Sequence, residues 1–174
     1  MHGRDFLLTG YPNLSKNELV DNHCLDKTHP INNGSHYTLC GFARMYEGGK
    51  VYAIDSGTVI GWRDGISDTT ASQDSSENLG NYVIVKHAGN WISIYGRLRE
   101  NSIRVRSGEK IKAGSAIALV GCSGDCEDPH LYFELRLDSS FTIDPHDGPC
   151  GNNFGFWKNP IPYDSSFFIW KSGL

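Results

Sequence analysis

Across residues 51–137 the apolar side chains come in short runs, at 51–54, 58–62, 82–87, 91–95, 103–106, 116–120 and 131–137, with glycines in most of the gaps. This cadence limits the fold more than any other feature. Alternation over about four to eight residues lets a strand bury one face and wet the other, and no long stretch keeps apolar residues at a helical period. Glycine-marked gaps suit hairpins and tight turns. The chain is therefore predicted to be all-β, a small antiparallel β-barrel or sandwich with few helices. Residues 1–35 and 138–174 lack the pattern and are predicted to be irregular extensions, the first an N-terminal strap laid over the core.

Composition narrows the function classes. With 174 residues, 39% hydrophobic and 21% charged, the chain has material for one buried core. A net charge of −4 gives no global attraction for nucleic acid or anionic lipid. No apolar run approaches the ~20 residues of a membrane-spanning helix. Met1-His2-Gly3-Arg4-Asp5 opens no charged-then-apolar signal sequence. Five cysteines (Cys24, Cys40, Cys122, Cys126, Cys150) are many for a cytosolic protein of this size, and an odd number leaves at least one unpaired within the chain. An oxidising compartment is expected, so the protein is read as exported, in the periplasm, cell wall or outside the cell, with no signal peptide in this chain.

Two segments outside the strands stand out. Residues 64–80 carry four acidic side chains and no Lys or Arg. They lack the glycine and glutamate placement of a calcium-binding EF-hand loop and read as a solvated loop inside a hairpin. The tail holds Phe141, Phe154, Phe156, Trp157, Tyr163, Phe167, Phe168 and Trp170. These are expected to pack the tail against the core, the competing account being an aromatic surface for a glycan or a protein.

Residues 107–124, SGEKIKAGSAIALVGCSG, followed by PHLYFELR at 129–136, resemble the lysostaphin/LytM-type peptidoglycan metalloendopeptidases, whose closing motif reads P-H-L-H-F-E-x-R. GKVYAIDSGTV at 49–59 and NYVIVKHAGNWISIYGRL at 81–98 are similar to earlier stretches of that family, so the resemblance spans roughly residues 36–136. It implies a duplicated-hybrid-motif-like β domain at 36–137 with a groove across one face. The family cleaves cell-wall peptides with zinc, held by the His and Asp of H-x-x-x-D and the second His of H-x-H. A metal-bound water is the nucleophile. The first His of H-x-H and the His of Y-x-H-L assist.

Position by position, this sequence departs from that set. H-x-H appears as His130-Leu131-Tyr132, replacing a ligand imidazole with a phenol. Y-x-H-L appears as Tyr95-Gly96-Arg97-Leu98, placing a permanent cation where the resemblance expects an imidazole. His36 and Cys40 have the H-x-x-x-D spacing with Cys in place of Asp, at the cost of a two-residue insertion before Val51. The other registers, Tyr37 with Gly41 or Thr38 with Phe42, supply no carboxylate either.

The resemblance thus implies a degenerate member, with no complete catalytic set. His130 is a remnant, and Arg97, His130 and Tyr132 line a groove that binds peptidoglycan or a protein partner in an exported assembly. No cofactor is expected. The alternative is an atypical zinc endopeptidase using His36, Cys40 and His130. A cysteine hydrolase pairing Cys126 or Cys40 with His130 is weighed against a local Cys122–Cys126 disulfide, and the disulfide is preferred. Cys40 reads as buried or disulfide-bonded, and His23, His29, His87 and His146 as surface residues. Arg97, Arg99, Arg104, Arg106, Lys110 and Lys112 make a basic stretch, a solvated sheet face except at Arg97.

Overall fold

The computed structural model describes residues 6–69, 78–138, 141–151, 155–158 and 163. Ten strands form: β1 (Phe6–Gly10), β2 (Ser35–Leu39), β3 (Lys50–Tyr52), β4 (Gly57–Arg63), β5 (Asn81–Lys86), β6 (Trp91–Leu98), β7 (Lys110–Ile111), β8 (Ala116–Leu119), β9 (His130–Leu137) and β10 (Phe141–Ile143). Apart from a single 3-10 turn, the one helix among the described residues is α1 (Phe42–Tyr46). The main sheet has eight strands in the order β1-β2-β9-β6-β5-β4-β7, with β10 also on β9, and every pairing is antiparallel. β3 and β8 make a second, two-stranded sheet, tied to the first by a Leu98–Val120 bridge.

The antiparallel all-β expectation holds, but the sheet is open: β1 and β7 are its edges and do not pair with each other among the described residues. Alternation explains how a core forms between the sheets. Val59, Val83, Val85, Tyr95, Phe133 and Leu135 point inward from the large sheet, and Val51, Ile117 and Val120 meet them. Residues 103–106 are the exception. Ile103 and Val105 are buried as the pattern requires. Yet the segment is not a strand, because its amides go singly to unrelated partners, Ile103 N–H to Asp64, Arg104 N–H to Ile117 O and Arg106 N–H to Glu109.

Both extensions are more ordered than their sequences suggest. The first contributes β1, which widens the sheet beside β2. Further along, Asp21 accepts the amide hydrogens of His23, Leu25 and Lys27, folding an otherwise irregular stretch around one carboxylate. The two extensions then join: Cys24 is disulfide-bonded to Cys150, Asn22 Nδ2 donates to Asp147 O at 2.7 Å, and the Tyr163 hydroxyl donates to Asp21 at 2.7 Å. Trp157 packs on Phe133 and Tyr37, and Phe156 on Trp91. The described tail aromatics thus pack on the body. Phe154, Phe167, Phe168 and Trp170 lie outside the described residues, as does the side chain of Phe141.

The acidic loop is not simply solvated where it is described. Asp64 accepts amide hydrogens from Gly65, Asn101 and Ile103, and Asp68 from Glu100 and Cys122. These two carboxylates fasten neighbouring loops.

Candidate functional site

β9 carries HLYFELRL between β2 and β6, and register decides which side chains share a face. His36 lies opposite Tyr132, and Tyr132 opposite Gly96; Thr38 lies opposite His130, and Ile94 opposite Glu134. The alternate row, Tyr37 with Leu131 and Tyr95 with Phe133, faces the core. His36, His130 and Tyr132 are therefore gathered on the face of the sheet away from that core. Trp157 packs with the core row, so it does not cover them.

The rings confirm the gathering. His36 stacks on His130 at 4.9 Å and 23°, and Tyr132 meets His36 edge-on at 5.5 Å. Gly34 makes room: a Cβ there would lie 2.6 Å from Tyr132 Cζ and 2.7 Å from the carbonyl oxygen of Phe133. Asn32 Nδ2 donates to Tyr11 O, which turns its Oδ1 toward His36 Nε2 at 3.1 Å. Nε2 is then the donor, and the lone pair sits on Nδ1. His130 Nδ1 lies 2.7 Å from Asp128 O and donates to it, leaving Nε2, shielded from solvent, without a partner.

Arg97 reaches this cluster from a bulge. Between Val83 and Asn81 on β5, β6 spends one residue more than its partner, and Arg97 there adopts φ 59°. A bulge re-aims side chains, which is how a residue next to Gly96 comes to face β9. Burial lowers the Arg97 pKa, while Asp125 and Tyr132 act the other way. Burial, then the fields of His130, His29 and Arg97, brings His36 down to about 3. His130 is lowered too, chiefly by burial. Both imidazoles are neutral near pH 7. Burial, then the Glu134 charge, raises the Tyr132 phenol. Its hydroxyl donates to Glu134 Oε2 at 3.0 Å, while Arg136 Nε at 2.6 Å and Thr142 Oγ1 at 3.1 Å donate to Oε1. Glu134 is buried and fully engaged.

This donor set does not fit zinc. Stacked imidazoles direct their in-plane lone pairs side by side rather than at one point. The Tyr132 phenol is protonated and committed to Glu134, and a guanidinium faces the cluster. Cys40 does not join. It is exposed and unbonded, beyond the end of β2 and roughly 13 Å of strand rise from His36, so it is neither the buried nor the bridged cysteine expected. Among the described residues no three His, Cys, Asp or Glu side chains are grouped to hold a metal. The His36–Cys40–His130 arrangement is thereby corrected. Cys122 and Cys126 are bonded to each other, which also removes Cys126 as a nucleophile.

Other histidines were misjudged. His87 is buried, with Nδ1 2.9 Å from Ser56 O and Nε2 2.7 Å from Ser93 Oγ. His146 is buried between Asp144 and Tyr37, at 2.9 and 3.2 Å. Asn32 and Gly34, which shape the site from within the N-terminal extension, carried no sequence signal at all.

A histidine thus faces H-L-Y-F-E across neighbouring strands of an open antiparallel sheet. The family model for peptidase family M23 matches residues 41–145, more than half of the chain, and the chain belongs to that family. Cell division protein DipM of Caulobacter vibrioides is 27% identical over 116 residues, covering 64% of this chain and 18% of DipM. Murein hydrolase activator EnvC of Escherichia coli is 38% identical over 90 residues, covering 52% of this chain and 18% of EnvC. The chain thus spans about a fifth of the length of these relatives. A mutant catalytic domain of the prophage-encoded M23 protein EnpA from Enterococcus faecalis superposes with a TM-score of 0.54 at 24% identity, covering 83% of this chain and 92% of that domain, a likeness of fold.

Proposed function

We propose that this chain is a non-catalytic M23 domain that binds rather than cleaves, holding peptidoglycan or a protein partner in an exported assembly. The observation that carries this reading is Arg97 on β6, next to the Gly96–Tyr132 pair and near enough to act electrostatically on His36, His130 and Tyr132, a cation where a zinc enzyme of this family needs a cation of its own. Neutral stacked imidazoles, an engaged phenol and a guanidinium favour binding over zinc-assisted cleavage. A relative described as a murein hydrolase activator is in keeping with a role other than hydrolysis. Two disulfides favour an oxidising compartment. Among the described residues no helix is long and apolar enough to cross a membrane.

The test combines elemental analysis with sacculi. Protein purified without added metal is expected to carry far less than one zinc per chain, to release no peptide from sacculi with or without added zinc, and to co-sediment with sacculi or with an exported partner. Stoichiometric zinc together with release of cross-link peptides would overturn the reading.

A further inference from the structure

The mismatch with zinc leaves a specific electrostatic problem. Arg97 holds a left-handed backbone, φ 59°, which side chains other than glycine adopt against preference and which clusters at functional positions. Two loops pin it: its N–H donates to Leu79 O at 2.8 Å, and its carbonyl accepts from Gly121 N–H at 2.9 Å. The guanidinium so positioned is poorly satisfied. Nη1 makes one long hydrogen bond, 3.4 Å to Ser123 O, and the shielded Nε–H has no partner. Among the described residues no carboxylate forms an ion pair with it. Asp125, exposed on the loop closed by Cys122–Cys126, acts on it from a distance, and Glu134 is already taken by Arg136, Thr142 and Tyr132. A partly desolvated cation without a paired anion is costly to keep.

We propose that Arg97 is the receptor for a free peptide carboxylate, which completes its ion pair on the β9 face of the sheet. This rests on the binding role given above and names its ligand chemistry. A carboxylate matches the planar fork of a guanidinium in shape and its single charge in magnitude. A phosphate dianion carries a second charge that a single guanidinium leaves unbalanced. Asp125 is the chain's own competitor for the same guanidinium.

The experiment titrates the full chain with N-acetylalanine, N-acetylalaninamide and inorganic phosphate, followed by amide NMR shifts. N-acetylalanine is expected to shift residues around Arg97 and His130, with the amide and phosphate at least tenfold weaker. Arg97→Gln should lose at least tenfold for the acid, Arg97→Lys should fall between, and Asp125→Asn should bind the acid several-fold more tightly. Thermal melts confirm that each variant is folded, and Asp125→Asn, on an exposed loop, reads the same guanidinium without altering it. Equal binding of acid and amide overturns the proposal, as does full binding by Arg97→Gln or a preference for phosphate. Failure of this inference is separable from failure of the binding role. Sacculi retained alike by wild type and Arg97→Gln, with no N-acetylalanine binding, sink only the carboxylate receptor. N-acetylalanine binding through Arg97 without retention on sacculi or any partner sinks only the broader role.

Discussion

If the Arg97 guanidinium is under-satisfied, removing its charge should make the protein more stable while destroying what it binds. Arg97→Met keeps an unbranched apolar stem of similar reach and leaves the bulge and its φ of 59° in place, so the comparison isolates the charge. The loss is a single 3.4 Å hydrogen bond to Ser123 O, worth well under ~1 kcal/mol at such a length. The gain is relief of a desolvated donor group, ~1–3 kcal/mol when buried outright. That figure must be discounted because part of the side chain still meets water. The balance is a stabilisation of about 1 kcal/mol. With a urea m-value near 2 kcal/mol/M this moves the unfolding midpoint up by about 0.5 M, and Tm by roughly 2–4 °C. Urea denaturation of both proteins, with the ligand titrations run on the same samples, gives both readings. A stability loss of ~1 kcal/mol or more in Arg97→Met would show that the guanidinium already has adequate partners, and the reasoning behind the carboxylate receptor would fall with it.

Other consequences can be measured alongside. Cys24 and Cys150 are 126 residues apart, so replacing both with serine removes a cross-link worth up to ~5 kcal/mol by loop-closure entropy, against ~2 for Cys122 and Cys126, which are 4 apart; equal losses in urea denaturation would contradict this. Tyr132→Phe takes one donor from the buried Glu134 and should cost ~1–2 kcal/mol, while an unchanged melting curve would mean that Glu134 finds another partner. Gly34→Ala sets a methyl 2.7 Å from a β9 carbonyl oxygen, and a loss of ~1–3 kcal/mol with shifted Tyr132 resonances is expected. His36, lowered from 6.5 to about 3, makes the unfolded chain the stronger proton binder between those values. The stability it contributes is therefore complete above pH 6.5 and lost as pH falls toward 3. His36→Asn should flatten the stability–pH curve in that window, and identical curves would refute the assignment.

The sheet was legible because one physical rule sufficed. Strands such as β3 and β5 bury every second residue, and period-two alternation records that directly. The same rule misled at residues 103–106, where Ile103 and Val105 are buried alternately but the amides make no repeating ladder with a neighbouring strand. Alternation reports a face and says nothing of a ladder. Motif spacing singled out Arg97, His130 and Tyr132, which lie on the neighbouring strands β6 and β9. His36 could be placed only by the β2–β9 register. His87 and His146 looked like turn residues. Their burial depends on Ser56, Ser93, Asp144 and Tyr37, partners brought in by tertiary folding. Short spacing pointed to the Cys122–Cys126 bond, whereas Cys24–Cys150 was closed to sequence reading, for distant residues of one type carry no mark of who meets whom.

The bond between Cys24 and Cys150 has a mechanical meaning. Their Cα atoms stand 5.2 Å apart, although nearly the whole sheet lies between them in the chain. Tension applied to the polypeptide before Cys24 and after Cys150 runs through a covalent shortcut, and β2 to β10 hang from it as an unloaded loop. The strands that present Arg97, His130 and Tyr132 would keep their register under a pull that unzips an unbridged sheet. Reduction of that single bond would put the same strands directly in the line of force.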